Sequence, residues 1–310
     1  SLSFWHYNTS KRAITLNLES PEGNDIFRRL AGTADIILET FKPGYLTSLG
    51  LDYDDLSPDN PRLIMCSLTP FGQTGPWQDY EVSDLIHLAA GGQMASSGYD
   101  SIDVADPPPI APGGGNAWHI GAHYAYIGIL SALYYRDMSG EGQYIDASIH
   151  EACALTTEGA IAIYLATGDV VNRHTGRHAA VDMSPAIQFP TGDGGWLNTT
   201  RSGSNLTVPR LKTLAEWMDT FGMADDLLDE KYQATEVIQN SNTHIVEVLQ
   251  KFLGSLSLED AWQGGQERDF PWGAIRTMDD IMGDLHLQDR EFFVEVLHPE
   301  LGRTFTYPGA

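Results

Sequence analysis

A chain of 310 residues, 42% hydrophobic and 10% aromatic, is long enough to bury the core of one large domain or two modest ones, which argues against wholesale disorder. Its 18 Lys and Arg against 42 Asp and Glu leave a net charge of −24, so neither nucleic acid nor an anionic membrane surface is expected as a partner. No apolar run approaches membrane-spanning length, and residues 1–12 carry no secretory pattern, so a cytoplasmic protein is expected.

In chain order, Ala13-Ile14-Thr15-Leu16-Asn17-Leu18 alternates well enough to predict a strand. Ser20-Pro21-Glu22 then starts a helix: Ser as N-cap, Pro at the first helical position and an acid near the positive end of the dipole. Asp35-Ile36-Ile37-Leu38-Glu39 is a buried-strand candidate, with Phe41-Lys42-Pro43-Gly44 as the loop at its carboxyl end. Residues 61–68 read as a further strand. Strand–helix–strand order implies a parallel sheet with right-handed crossovers, and such sheets bind ligands beyond their carboxyl ends. The loops at residues 40–44 and 69–76 are therefore the places to look. Pro107-Pro108-Pro109 through Gly113-Gly114-Gly115 reads as a rigid-then-flexible loop inside the first domain. Residues 128–148 read as an amphipathic helix, a Gly-rich stop at Ser139-Gly140-Glu141-Gly142 and a buried strand. Ile129, Leu130, Leu133 and Tyr134 are the expected sheet-packing face of that helix.

The second half begins near Ser184. Two strands around Asp193-Gly194 make a hairpin, followed by amphipathic helices marked by Leu211, Leu214, Trp217, Met218 and Phe221 and by Ile245, Val248, Leu249 and Phe252. Residues 258–262 and 278–281 are shorter helical pieces. The expected architecture is α/β: a large Rossmann-like domain with a parallel sheet over residues 1–184, and a smaller α+β domain over residues 185–310. Cys66 and Cys153 sit among apolar neighbours and read as buried free thiols in a reducing compartment. There is no GxGxxG, no P-loop, no HExxH and no nucleophile elbow. His119 and His123, four apart, are too few for a metal site, so none is expected.

Several segments together carry a resemblance. They are Tyr7-Asn8-Thr9-Ser10-Lys11-Arg12, Ser20-Pro21-Glu22-Gly23, Ala34-Asp35-Ile36-Ile37-Leu38-Glu39-Thr40-Phe41-Lys42-Pro43-Gly44 and Phe71-Gly72-Gln73-Thr74-Gly75-Pro76. Ala132-Leu133-Tyr134-Tyr135-Arg136 and Ser139-Gly140-Glu141-Gly142-Gln143 follow, then Phe270-Pro271-Trp272-Gly273 and Gln288-Asp289-Arg290-Glu291-Phe292-Phe293. In this order the set resembles the class III CoA-transferases, the superfamily of formyl-CoA transferase, carnitine CoA-transferase and α-methylacyl-CoA racemase. The resemblance implies two subunits interlocked like links of a chain, and chains that begin earlier and continue further than this one. It implies coenzyme A and acyl-CoA as substrates, not as permanently bound cofactors, with a carboxylic acid as acceptor.

In transferases of that family an Asp lies about ten residues before the Gly matching Gly128; it attacks the thioester and forms a mixed anhydride. Here the stretch is Gly115-Asn116-Ala117-Trp118-His119-Ile120-Gly121, without a carboxylate, and the catalytic residue is left unassigned. In the racemases a His precedes an Asp-x-x-x-Leu-Ala segment; here that place is Ser83, a hydroxyl too weakly acidic for the task. Asp84 reads as a helix cap. The resemblance carries CoA contacts onto Leu16, Asn17, Thr40, Phe41 and Lys42, with Phe41 against adenine and Lys42 against a phosphate. Where relatives place a phosphate-binding Arg, this chain has Ser48. Three readings follow: a transferase with another nucleophile, a non-catalytic chain of a hetero-oligomer with a catalytic paralogue (in place of a homodimer), or a CoA-thioester racemase.

Overall fold

A computed structural model describes residues 2–100, 104–157, 159–200 and 202–309. By contact the chain forms two compact units, one of Thr15–Ser184 and one of Ser1–Ile14 with Pro185–Ala310. The first fourteen residues, assigned by sequence to the large domain, thus group with the C-terminal half.

The Thr15–Ser184 unit holds a parallel sheet in the order β1 (Ile36–Glu39), β2 (Ile64–Thr69), β3 (Tyr144–Ser148). The register pairs Leu38 with Cys66 and Cys66 with Ile145. The helix Pro21–Ala31 starts as its sequence dictates: Ser20 Oγ accepts the Gly23 N–H at 3.1 Å, and Pro21 needs no hydrogen bond there. Two expectations fail. Residues 13–18 form no strand, because no neighbouring described strand takes up their backbone groups. β1 is not fully buried: it is an edge strand in the described sheet, and Leu38 is exposed on its open face.

The long helix spans Asn116–Ser139 and ends at Gly140, which adopts the left-handed conformation at φ +83°. Its packing face differs from the expected one. The buried residues are Ala117, Gly121, Ala125, Ala132 and Arg136, whereas Leu130 and Tyr134 are exposed. Small side chains allow close approach: a Cβ on Gly121 would lie 2.7 Å from Ile149 Cγ1. Arg136 is buried with them, donating to the carbonyls of Asp35 and Arg62 at 3.3 and 3.2 Å and pairing with Asp35 Oδ1 at 3.1 Å. Cys66 and Cys153 are buried and free.

In the other unit β4 (Gln188–Pro190) and β5 (Trp196–Asn198) form the expected hairpin, and β6 (Gly273–Ala274) adds antiparallel to β5. The helices Val208–Asp219 and Asn242–Leu253 build its core through Leu211, Leu214, Met218, Leu249 and Phe252. β7 (Phe293–His298) and β8 (Arg303–Pro308) form a second hairpin. No described helix is long and apolar enough to cross a membrane, and the described residues contain no cluster able to hold a metal ion.

Candidate functional site

The carboxyl edge of the parallel sheet is where its loops are tied together. Glu39, the last residue of β1, is only 8% exposed. Its Oε2 accepts the Phe41 N–H at 2.7 Å, and its Oε1 accepts from Gln73 Nε2 at 3.5 Å. Gln73, in the loop after β2, donates its backbone N–H to both carboxylate oxygens of Asp146 on β3 at 3.1 and 3.0 Å. Gly72 makes that turn at φ +89°, a conformation that side chains resist, with Asp146 just beyond its Cα. The loops after β1 and β2 are thus stitched to each other and to β3.

Beside this edge lies a cavity of about 320 Å³, within the range of small-ligand sites. Glu39, Lys42, Thr47, Tyr53, Gln73 and Tyr144 are among its walls. Tyr144 donates its hydroxyl to Ser67 Oγ at 3.0 Å, and the Tyr53 ring lies 5.9 Å from the Tyr144 ring. Burial raises the Tyr144 and Tyr53 phenols above their ordinary range. On β2, burial and then the Glu39 and Asp146 carboxylates push the Cys66 thiol up to about 11, so it is no nucleophile at neutral pH.

Of the five positions expected to contact CoA, Lys42 lines this cavity. It is exposed and pairs with the equally exposed Glu81 at 3.6 Å, a contact weak enough to leave its charge for a ligand. Phe41 is exposed and packs on Tyr45 at 4.9 Å between ring centres. Thr40 is exposed, Leu16 is half-buried and Asn17 is exposed. The Asn17 side chain accepts the Glu19 N–H at 3.1 Å, so it shapes the turn before the helix. Ser48 closes a short helix by donating to the Tyr45 carbonyl at 2.7 Å.

The first turn of the long helix offers no carboxylate of its own. Asn116 Nδ2 donates to the Gly113 carbonyl at 2.6 Å, and the Trp118 ring lies edge-on to His87 at 5.3 Å. A carboxylate does reach that turn from elsewhere: Asp84 Oδ1 accepts the Ala117 N–H at 2.8 Å. Asp84 heads the helix Asp84–Ala90, whose own N-cap is Ser83, so it caps a helix 33 residues away and not its own. Sequence spacing gave no signal for that contact. One turn on, His87 is fully buried, and neither ring nitrogen has a hydrogen-bond partner. Burial lowers its pKa to about 4, with His150 acting in the same direction and Asp84 against it. It is therefore a neutral imidazole. His123 Nδ1 lies 2.7 Å from the His119 carbonyl one turn before it.

Comparisons with known proteins bear on the family and the fold. The sequence profile of CoA-transferase family III matches residues 1–310. The chain is 32% identical over 315 aligned residues to subunit BbsE of succinyl-CoA:(R)-benzylsuccinate CoA-transferase from Thauera aromatica, covering 100% of this chain and 74% of that one. It is 29% identical to the β subunit of succinyl-CoA–L-malate CoA-transferase from Chloroflexus aurantiacus, covering 99% and 73%. A crystal structure of a CaiB/BaiF family protein from Brucella suis matches with a TM-score of 0.72 at 26% identity, over 92% of this chain and 71% of that one. A parallel sheet with its loops gathered at one cavity, within a match along the whole chain, places this protein in the class III CoA-transferase family.

Proposed function

We propose that this chain binds coenzyme A thioesters and serves the transfer of CoA between an acyl-CoA and a carboxylic acid as the non-catalytic chain of a hetero-oligomer. A second class III chain supplies the nucleophilic Asp. The observation that carries this reading is the first turn of the Asn116–Ser139 helix. Where the resemblance calls for an acyl-accepting carboxylate, the chain presents Trp118, and among the described residues the carboxylate that reaches that turn, Asp84, is engaged as a cap. Two relatives that match along nearly the whole chain carry the word subunit in their names, which supports a shared division of labour. The interlocked arrangement of the family is the form in which such chains would pair. Buried free thiols suit a reducing compartment, and we place the protein in the cytoplasm.

CoA enters this reading through the cavity at the sheet edge, with Lys42 meeting a phosphate and Phe41 and Tyr45 offering aromatic faces to the base. Leu16, Asn17 and Thr40 flank that path. The test is reconstitution. The chain alone binds CoA by calorimetry and transfers no CoA from an acyl-CoA donor to an acid, and transfer begins on adding a class III chain that carries the Asp. Lys42→Glu weakens CoA binding by about ten-fold, as loss of one charged phosphate contact should. Transfer by the isolated chain would refute the division of labour, and undiminished binding by Lys42→Glu would refute the CoA path.

A second reading, catalysis by this chain through another carboxylate, has one observation in its favour: Asp84 lies at the helix turn where the acyl group would transfer. Racemisation has none, since Ser83 Oγ is used to accept the Ile86 N–H at 3.4 Å.

A further inference from the structure

Beyond β2 the chain builds an aromatic cluster at the carboxyl edge of the sheet. Phe71 is its hub, with ring centres 5.5 Å from His87, 5.4 Å from His150 and 5.9 Å from Trp77. Trp77 and Tyr80 lie nearly parallel at 6.1 Å, with 21° between their planes, and Trp118 stands edge-on to His87. Phe71 and Trp118 pack on the buried imidazole, and Trp77 and Tyr80 pack on Phe71, yet the outer rings remain open: Trp77 is 45% exposed, Tyr80 59% and Trp118 43%. Trp77 and Tyr80 lie side by side and Trp118 joins them through His87 and Phe71, and large aromatic rings left open at the edge where such sheets receive ligands mark a recognition surface. The same loop carries Gln73, a wall of the candidate CoA cavity, so platform and cavity are continuous along the chain.

Charge decides between occupants. The far carboxylate of a small dicarboxylate would need a cation here, and these six residues include no lysine or arginine. His87 lies among aromatic rings without a hydrogen-bond partner for either nitrogen, and its burial keeps that imidazole neutral. An aromatic ring, in contrast, gains from stacking and edge contacts on Trp and Tyr without any charge to neutralise.

We propose that Trp77, Tyr80 and Trp118 form a subsite for the aromatic acyl group of an aryl-substituted carboxylic acid or its CoA thioester. The proposal rests on the reading of this chain as a CoA-thioester binder but is tested apart from it. Calorimetry compares phenylacetyl-CoA with acetyl-CoA and succinyl-CoA, and 3-phenylpropionate with propionate, the free acids needing no CoA site. CoA alone serves as the control for the cavity. The expected result is at least a ten-fold preference for the aryl member of each set. Trp77→Ala and Tyr80→Ala should each remove most of that preference while leaving CoA affinity unchanged. Both side chains are half-exposed, and a retained far-UV circular dichroism spectrum checks that the variants fold. Equal affinity for aryl and alkyl ligands, a preference for succinyl-CoA, or a preference that survives both substitutions would overturn the subsite. Loss of CoA binding with the free-acid preference intact would instead overturn only the CoA reading.

Discussion

His87 carries a consequence for stability that its neighbours dictate. Its pKa falls from the ordinary 6.5 to about 4 on folding, so between those values the unfolded chain binds a proton that the folded one rejects. The stability this neutral imidazole allows is whole above pH 6.5 and is lost as the pH falls from there towards 4, by up to about 3 kcal/mol. Urea unfolding at pH 7 and pH 5 reads this directly. His87→Leu, close in size and without a titrating group, should flatten the difference; an equally steep difference in the variant would assign it to other groups. Asp193 shows the opposite sign. Its carboxylate accepts from the Leu258 N–H at 2.9 Å, the Thr191 hydroxyl at 2.7 Å and the Gly195 N–H at 3.3 Å, and these bonds hold its pKa below the ordinary 3.8. Its contribution is present above that value and is lost only in stronger acid. Asp193→Ala should lower the thermal midpoint at neutral pH by removing the tie between the β4–β5 turn and the helix Leu258–Gln266, and an unchanged midpoint would show that tie to be idle.

Among the elements, those with strong local signals were legible in the sequence. Ser20-Pro21 started a helix where expected, the Asp193-Gly194 turn made its hairpin, and the apolar runs at residues 36–39 and 64–68 became neighbouring parallel strands. The long helix was legible in kind but not in orientation. Large apolar residues draw attention in a sequence, yet the buried face is built mostly from Ala and Gly, whose value lies in the closeness they allow to neighbours such as Ile149. Gly121→Val tests this. Its branched side chain has no room beside Ile149, and a cost of about 1–3 kcal/mol is expected from overpacking, read as a shift in the denaturation midpoint. A variant as stable as the parent would mean that the helix is free to move away. The Ala160–Thr167 helix was missed because it is apolar on all sides, and the β7–β8 hairpin was missed because only Phe293 of its first strand fell within a quoted motif. Of the candidate site, the loops after β1 and β2 were legible from strand order. The bonds that Asp84, Asp146 and Glu39 make across the unit, the last with Gln73, were not, since nothing local encodes a contact between distant segments.

The whole molecule combines a net charge of −24 with much exposed apolar surface, on the long helix at Tyr126, Ile127, Tyr134 and Met138 and on the short one at Ile161 and Leu165. Such a surface suits a chain that works in an assembly, and a high net charge opposes non-specific association. The proposed assembly places acyl transfer on a second chain. The most direct measurement is mass spectrometry of the isolated chain and of the reconstituted pair, after incubation with an acyl-CoA donor and trapping with borohydride or hydroxylamine. The account predicts a modified Asp on the added chain and none on this one, with Asp84 recovered intact. A carboxylate of this chain modified in the absence of any other polypeptide would contradict it.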